Sequence, residues 1–248
     1  FAPDFHPELA EQEFYIGMGE TAENLANDLN ISREEQEEFA ISSHKKALGA
    51  IEEGNFKNEI IPIDKYGECT VEKDDGPREP DVEKIKSLNP AFVEGGTITA
   101  ATSSPISVGA SAVLVASEDF ASQNGLKTRA EFVSRAVSGV HWDRMGMGPL
   151  PAVEKALKKA NLTIDDVETI ELNEAFAAQA LYVIRKGGWD ENKVNLNGGA
   201  IALGHPLGCS GARIITTLLN VMEQQDTNIG LATMCIGSGQ GIATVIKR

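Results

Sequence analysis

Three short polar clusters in the last third of the chain carry side chains suited to acyl chemistry. They are Asn173-Glu174-Ala175-Phe176, Gly204-His205-Pro206 and Cys235-Ile236-Gly237. Each follows a short β-branched or apolar run, and two lie in glycine-rich stretches, where backbone amides can approach a ligand closely. An amide, an imidazole and a thiol from three separate loops form a plausible acyl-transfer site, which needs no metal or other cofactor.

Each cluster also has an ordinary structural explanation. His205 could complete a turn, Asn173 could cap the helix that follows it, and Cys235 could be a small buried hydrophobe. For His205, the surrounding glycines and the helix predicted after Gly208 favour a general base. For Cys235, the glycine loop that follows could supply amides to an oxyanion. For Asn173 alone the cap is the simpler interpretation, and for Cys209 we favour a packing role.

Composition excludes several classes of protein. The 248 residues, 42% of them hydrophobic, are enough for one large domain or two small ones. A net charge of −15 argues against a nucleic-acid binder, which needs a basic surface. No apolar run reaches the roughly 18 residues of a membrane span. The three cysteines lack disulfide-framework spacing and the four histidines lack a zinc signature, so we expect a cytoplasmic protein.

Alternating strands and helices in the second half position the three clusters. Strands are predicted at 129–138, 167–172, 194–197, 229–236 and 241–247, and helices at 150–160, 174–186 and 209–223. This βαβαβαββ order predicts an α/β fold with a largely parallel or mixed sheet and helices packed on it. Ligand sites of such folds lie at the strand ends, where we place all three clusters.

The first half is predicted to be more irregular. A helix is expected over 21–30, and a capping box at Ser32 and Glu35 opens a second helix that stops near Gly54. We predict strands at 58–63 and 97–100, a charged loop over 64–81 and a short helix up to Leu88. A small-residue apolar helix is predicted over 108–117, before a turn at 124–125.

With these features in place, the sequence resembles the thiolase family. The cluster at 173–176, the stretch 197–213 and the cluster at 235–239 are similar to three family signatures, in the family's order, although Ser238 stands where many members have glycine. The similarity continues upstream through 18–24, 32–36 and 102–104, and therefore covers nearly the whole chain. The pattern over 230–245 looks most like the degradative 3-ketoacyl-CoA thiolases of bacterial β-oxidation.

The resemblance implies a reaction in which a 3-ketoacyl-CoA and CoA give acetyl-CoA and a shortened acyl-CoA. By position, His205 would be the base that activates a nucleophilic cysteine and polarises the thioester oxygen. Cys235 would exchange a proton with the acetyl-CoA carbon, with a thiol pKa near the working pH. Asn173 would hold a water that forms one oxyanion hole with His205, and the Gly237 amide would contribute to the other.

The resemblance also implies a CoA site and a domain division. The positions that match the family's substrate and CoA contacts are Ser104, Met18, Arg78, Ala175 and Phe176. The family's layered fold would comprise a loop domain at 1–96, the tail of the N-terminal half at 97–126 and a complete C-terminal thiolase domain at 127–248. Val108 stands where the family usually has Asp. The family's acylated cysteine precedes all of these segments, so we expect this chain alone to be inactive.

Two other functions remain open at this point. A biosynthetic acetoacetyl-CoA thiolase would carry the same motifs, which do not report acyl-chain length. A non-catalytic thiolase-like subunit that binds CoA or scaffolds a partner is the alternative from another class. In either case the resemblance implies a homo-oligomer, a hydratase/dehydrogenase subunit as a further partner, and no nucleic acid.

Overall fold

The computed structural model describes residues 4–65, 67 and 69–248. Its α-helices are α1 (Pro7–Glu11), α2 (Met18–Leu29), α3 (Arg33–Glu53), α4 (Val82–Ser87), α5 (Glu118–Gln123), α6 (Pro149–Ala160), α7 (Ala177–Gly187), α8 (Ala200–Leu203) and α9 (Ser210–Gln224). The strands are β1 (Ile63–Lys65), β2 (Cys69–Val71), β3 (Glu131–Gly139), β4 (Thr169–Leu172), β5 (Ile229–Ile236) and β6 (Gln240–Lys247). None of the described helices combines the length and apolar character needed to cross a bilayer.

The second half folds around a mixed four-stranded sheet with the strand order β3-β6-β5-β4. β4 and β5 are parallel, and the other two pairs are antiparallel. The turn between β5 and β6 needs left-handed backbone at Ser238 (φ 63°) and Gly239 (φ 80°). The mixed sheet and four of the five predicted strands are confirmed.

Side chains alternate between the two faces of the sheet along each strand, so both faces carry apolar side chains. Helices cover both faces. On β6, Val245 points to the face that α6 and α7 cover, and Ile246 points to the face that α9 covers. Both side chains are almost fully buried. The three predicted helices of this half are confirmed as α6, α7 and α9, and they hold the strand ends in fixed positions.

The predicted third strand at 194–197 is wrong. Val194 forms only an isolated parallel bridge with Ile170, and Asn195 takes a left-handed conformation at φ 47°. The Asn195 side chain accepts from the Leu172 amide at 2.9 Å and donates to the Leu172 carbonyl at 2.8 Å. The side chain therefore takes over the hydrogen bonds that another strand residue would have made.

In the first half the long helices follow the predictions. Ser32 and Glu35 form the expected capping box at the start of α3, and Gly54 ends the helix at φ 75°. α2 and α3 pack on α7, with Leu25 fully buried in the cluster that also contains Phe176. This packing brings the first half of the chain against the 173–176 cluster.

Two predicted strands of the first half are wrong. Over 58–63 the chain first continues the turn after α3, with Glu59 N donating to Phe56 O at 3.0 Å, and the strand begins only at Ile63. Over 97–100 the amides of Thr97 and Ile98 donate to the Glu23 carboxylate, at 2.7 and 2.8 Å. Because a side chain uses these donors, this segment does not pair as a strand. The predicted charged loop over 64–81 is wrong in its first part, where β1 and β2 pair as a short antiparallel hairpin.

The predicted helix at 108–117 is also wrong. The segment forms neither a helix nor a strand, and Val108 and Leu114 are 104% and 80% exposed. A helix of small residues needs a surface to pack on closely, and β-branched residues favour extended backbone where it is missing. The Ser111 and Thr216 hydroxyls, 3.2 Å apart, hold the segment against α9 instead.

Candidate functional site

The 173–176 cluster begins directly at the end of β4. The Asn173 amide donates to Thr233 O at 3.0 Å, so the backbone is still paired with β5 at this residue. Phe176, and not Asn173, precedes the first residue of α7, so the helix-cap interpretation of Asn173 is wrong. The Asn173 side chain is fully buried, and its Oδ1 has no hydrogen-bond partner among the described residues. A buried acceptor without a partner is costly unless a ligand or water satisfies it.

His205 lies in the loop between α8 and α9 and not at a strand end, which corrects the expected placement. Gly204, at φ 97° and ψ 160°, provides the backbone conformation that leads into the loop. The imidazole Nε2 lies 3.4 Å from Asn173 Nδ2. Burial, helped by the positive charge of Arg213, lowers the pKa of His205, so the ring is neutral near pH 7.

Glu174 fixes the elements around this pair. Its carboxylate accepts hydrogen bonds from the Ser43 hydroxyl at 2.7 Å, the Asn195 side chain at 2.9 Å and the Ile201 amide at 3.1 Å. Burial raises the pKa of Glu174, while these donors oppose the rise. A Cβ at Gly199 would clash with the Glu174 carboxyl, so only glycine fits there. One side chain thus ties α3, the end of β4 and the start of α8 together.

Cys235 lies near the end of β5, the strand that pairs with β4. Its buried thiol packs in an apolar cluster with Ala175 and Phe176. Burial raises the pKa of Cys235 to about 12, which corrects the expectation of a thiol pKa near the working pH. The cause is desolvation of the thiolate in apolar surroundings. Cys235 is therefore a protonated thiol at neutral pH, able to donate a proton.

Ser104 contacts the backbone of the 173–176 cluster. The Ser104 amide donates to Ala175 O at 3.0 Å, and the preceding Ser103 forms a β-bridge with Phe176. The Phe92 ring packs edge-on against Phe176, with ring centroids 5.7 Å apart. No sequence pattern marked Phe92, a single aromatic in an otherwise irregular segment. The structure therefore gathers residues of the first half around the 175–176 backbone.

The remaining predicted contacts are more dispersed. Met18 is half-exposed at the start of α2, beside Gly19, which packs closely on the Phe92 ring. Gly237 is exposed in the turn between β5 and β6. Arg78 lines a separate cavity of about 350 Å³ with His44, and its amide donates to the His44 ring. His205, Asn173 and Cys235 do not line that cavity, so the structure does not bring Arg78 to them.

The chain is similar to thiolases along nearly its whole length. Residues 5–119 match the family model of the thiolase N-terminal domain, and residues 126–248 match that of the thiolase C-terminal domain. The 3-ketoacyl-CoA thiolase of Acinetobacter baylyi is 56% identical over 99% of the chain, and that of Psychrobacter cryohalolentis is 55% identical. The chain spans 65% of the length of these relatives.

Solved structures agree with the sequence comparison. Human mitochondrial 3-ketoacyl-CoA thiolase in complex with CoA superposes with a TM-score of 0.89 at 38% identity, over 95% of this chain and 60% of that one. The acetyl-CoA acetyltransferase of Bacillus anthracis gives a TM-score of 0.88 at 41% identity, over 94% of this chain and 60% of that one. The α/β layered fold inferred from the sequence is therefore that of the thiolases.

Proposed function

The chain belongs to the thiolase family, and on this premise we propose that its protein is an acetyl-CoA C-acyltransferase. It cleaves a 3-ketoacyl-CoA with CoA to acetyl-CoA and a shortened acyl-CoA. The names of the bacterial relatives, 3-ketoacyl-CoA thiolase, support the degradative direction over a biosynthetic acetoacetyl-CoA thiolase. A non-catalytic subunit is disfavoured because Asn173 lies beside His205 and Cys235 is retained near the end of β5, the strand that pairs with β4.

The contact between Asn173 and His205 is the observation that carries this proposal. A carboxamide lies 3.4 Å from a neutral imidazole, and its own oxygen has no hydrogen-bond partner in the part of the chain that the structure describes. That oxygen is therefore available to a bound water, which can in turn contact a thioester oxygen. His205 acts as the base towards a thiol nucleophile and then donates the proton to the developing thioester oxyanion. Asn173 holds the water that completes this oxyanion hole, and the Gly237 amide serves the second one.

Cys235 supplies the proton for the other product. When the bond between the α-carbon and the β-carbonyl carbon of the substrate breaks, its electron pair stays on the α-carbon as an acetyl-CoA enolate. The Cys235 Sγ–H protonates that carbon and becomes a thiolate, which regains its proton from the thiol of the incoming CoA as the CoA sulfur attacks the acyl group. Because burial keeps the Cys235 thiol protonated at neutral pH, a proton is present on Sγ when the carbon–carbon bond breaks.

CoA and acyl-CoA are substrates in this scheme, and no cofactor is required. Ser104, Met18, Ala175 and Phe176 are the proposed contacts of the pantetheine and acyl portions. The first half of the chain packs there against the 175–176 backbone, which supports this assignment. Arg78 is proposed to contact a CoA phosphate from its separate cavity, because a guanidinium binds phosphate in a bidentate manner.

The proposal extends to the cellular setting. The names of the relatives fit fatty-acid β-oxidation, and cysteines without disulfide spacing fit a reducing cytoplasm. A homo-oligomer and an association with a hydratase/dehydrogenase subunit rest on the family resemblance.

Thiolysis by this chain combined with a thiolase N-terminal segment that carries the acylated cysteine tests the proposal, because we expect the chain alone to be inactive. We expect acetyl-CoA and a shortened acyl-CoA in equal amounts from a 3-ketoacyl-CoA and CoA, and a loss of about 100-fold or more in His205→Gln. The matched control is His141→Gln, because His141 is an exposed histidine paired with Asp143. Turnover of acetoacetyl-CoA but not of longer 3-ketoacyl-CoA substrates would favour the biosynthetic alternative. CoA binding without turnover of any of them would favour the non-catalytic alternative.

A further inference from the structure

Ser210 contacts the His205 ring on the side opposite Asn173. Its Oγ lies 2.6 Å from His205 Nδ1, and Asn173 Nδ2 lies 3.4 Å from Nε2. The proposed reaction assigns no role to Ser210. We propose that Ser210 is a positioning residue that keeps the His205 proton on Nδ1 and leaves the Nε2 lone pair directed at Asn173.

The direction of the hydrogen bonds follows from what each partner can donate. The Ser210 hydroxyl has one proton, and its second neighbour is the carbonyl oxygen of Pro206, at 3.1 Å. A carbonyl oxygen only accepts, so the hydroxyl proton goes to Pro206. The lone pairs of Ser210 Oγ then remain to accept a proton from His205 Nδ1.

The opposite side of the ring favours the same arrangement. The Asn173 Nδ2 amide group is a donor without acceptor capacity, so its long contact of 3.4 Å favours a lone pair on the ring nitrogen that faces it, while the shorter contact with Ser210 decides the tautomer. Both neighbours of the imidazole therefore favour the Nδ1–H tautomer. A neutral ring has only two tautomers, and which one it adopts decides whether Nε2 can take a proton.

The surroundings of Ser210 hold this arrangement in place. Ser210 is fully buried at the first position of α9, so bulk water cannot replace its hydroxyl. The Pro206 carbonyl also accepts from the Cys209 amide at 2.8 Å and from the Ser210 amide at 3.0 Å. The turn from 206 to 210 is therefore fixed, and the serine hydroxyl has one geometry available.

The tautomer can be read directly and independently of any reaction. In the chain labelled with ¹⁵N-histidine, two-bond ¹H–¹⁵N correlations at pH 8 should show His205 with a proton on Nδ1. His44 is an internal reference of the opposite kind, because the Arg78 amide donates to His44 Nδ1 at 3.4 Å and leaves the proton on Nε2. A His205 pattern with the proton on Nε2 would overturn the proposal without touching the proposed function.

Removal of the hydroxyl tests its consequence, a step that rests on the proposed function. In Ser210→Ala we expect the Nε2–H tautomer to appear. In the chain combined with a segment that carries the acylated cysteine, we expect kcat to fall about tenfold or more, with KM for CoA within about twofold. Ser210→Thr should restore the Nδ1–H tautomer and part of kcat. Thr216→Val, which removes another hydroxyl from α9, should leave both unchanged. An unchanged His205 tautomer in Ser210→Ala would refute the role of Ser210, whatever happens to kcat.

Discussion

Ser43 on α3 donates a hydrogen bond of 2.7 Å to the buried carboxylate of Glu174, although 131 residues separate them in the chain. The Ser43 hydroxyl also accepts from the Gly199 amide at 3.1 Å. The serine thus links a helix of the first half to both the 173–176 cluster and the start of α8. The geometry of the candidate site depends on this contact between the two halves of the chain.

Loss of the Ser43 hydroxyl should therefore destabilise the fold. Ser43→Ala leaves Glu174 Oε2 and the Gly199 amide with one partner fewer, and we expect the free energy of unfolding to fall by about 1–3 kcal/mol. Urea denaturation measures this change, with Ser42→Ala at the neighbouring, exposed serine as the control. A change below about 0.5 kcal/mol would show that the contact does not contribute measurably to the free energy of unfolding.

Stability should also depend on pH through Glu171. Burial raises the pKa of Glu171 from 4.5 to about 8, against the opposing charge of Arg213, 3.5 Å away. Between these two values the folded state keeps a proton that the unfolded state has released. Stability is therefore highest below about pH 4.5 for this group, falls as the pH rises, and levels off above about pH 8.

Glu171→Gln should flatten that dependence, because glutamine does not titrate. We expect the fall in free energy of unfolding between pH 5 and pH 8 to shrink by up to a few kcal/mol, at about 1.4 kcal/mol per pKa unit. Thermal unfolding across this range measures it. Glu168→Gln is the comparison, because Glu168 is exposed and its pKa is lowered by the amides of Asn228 and Ile229. An identical slope in wild type and Glu171→Gln would contradict the assignment.

Ser238 offers a test of backbone strain. It holds φ 63° in the β5–β6 turn, a conformation that costs most side chains about 1–2 kcal/mol. Ser238→Gly should relieve this strain, and the greater freedom of glycine in the unfolded chain offsets part of the gain. We expect a net stabilisation of up to about 1 kcal/mol in urea denaturation, whereas Ser238→Val should destabilise.

The sequence predicted the elements whose signals are local. The capping box at Ser32 and the terminating Gly54 bounded α3 closely, and the apolar runs on either side of Ser238 predicted both β5 and β6. Such signals act within a few residues and need no knowledge of distant partners.

The wrong predictions concern residues whose conformation depends on hydrogen bonds to partners far away in the sequence. The Asn195 side chain hydrogen-bonds Leu172 where a strand was predicted. The Glu23 carboxylate accepts from amides of the segment 97–100, which was also predicted to be a strand. The same limit applies to the site. The side-chain types at 173, 205 and 235 indicated acyl chemistry, but the contact of Ser210 with His205 and the high pKa of Cys235 depend on burial that no local pattern reports.

The central claim is that Cys235 and His205 belong to one site that handles the acetyl group of acetyl-CoA. Incorporation of solvent deuterium into the methyl group of acetyl-CoA, followed by mass spectrometry, tests it most directly. We predict incorporation by the wild-type protein, a loss of about 100-fold or more in Cys235→Ala and in His205→Gln, and rates within about twofold of wild type in Cys209→Ala, which removes a second buried thiol. Undiminished incorporation in Cys235→Ala would contradict the account.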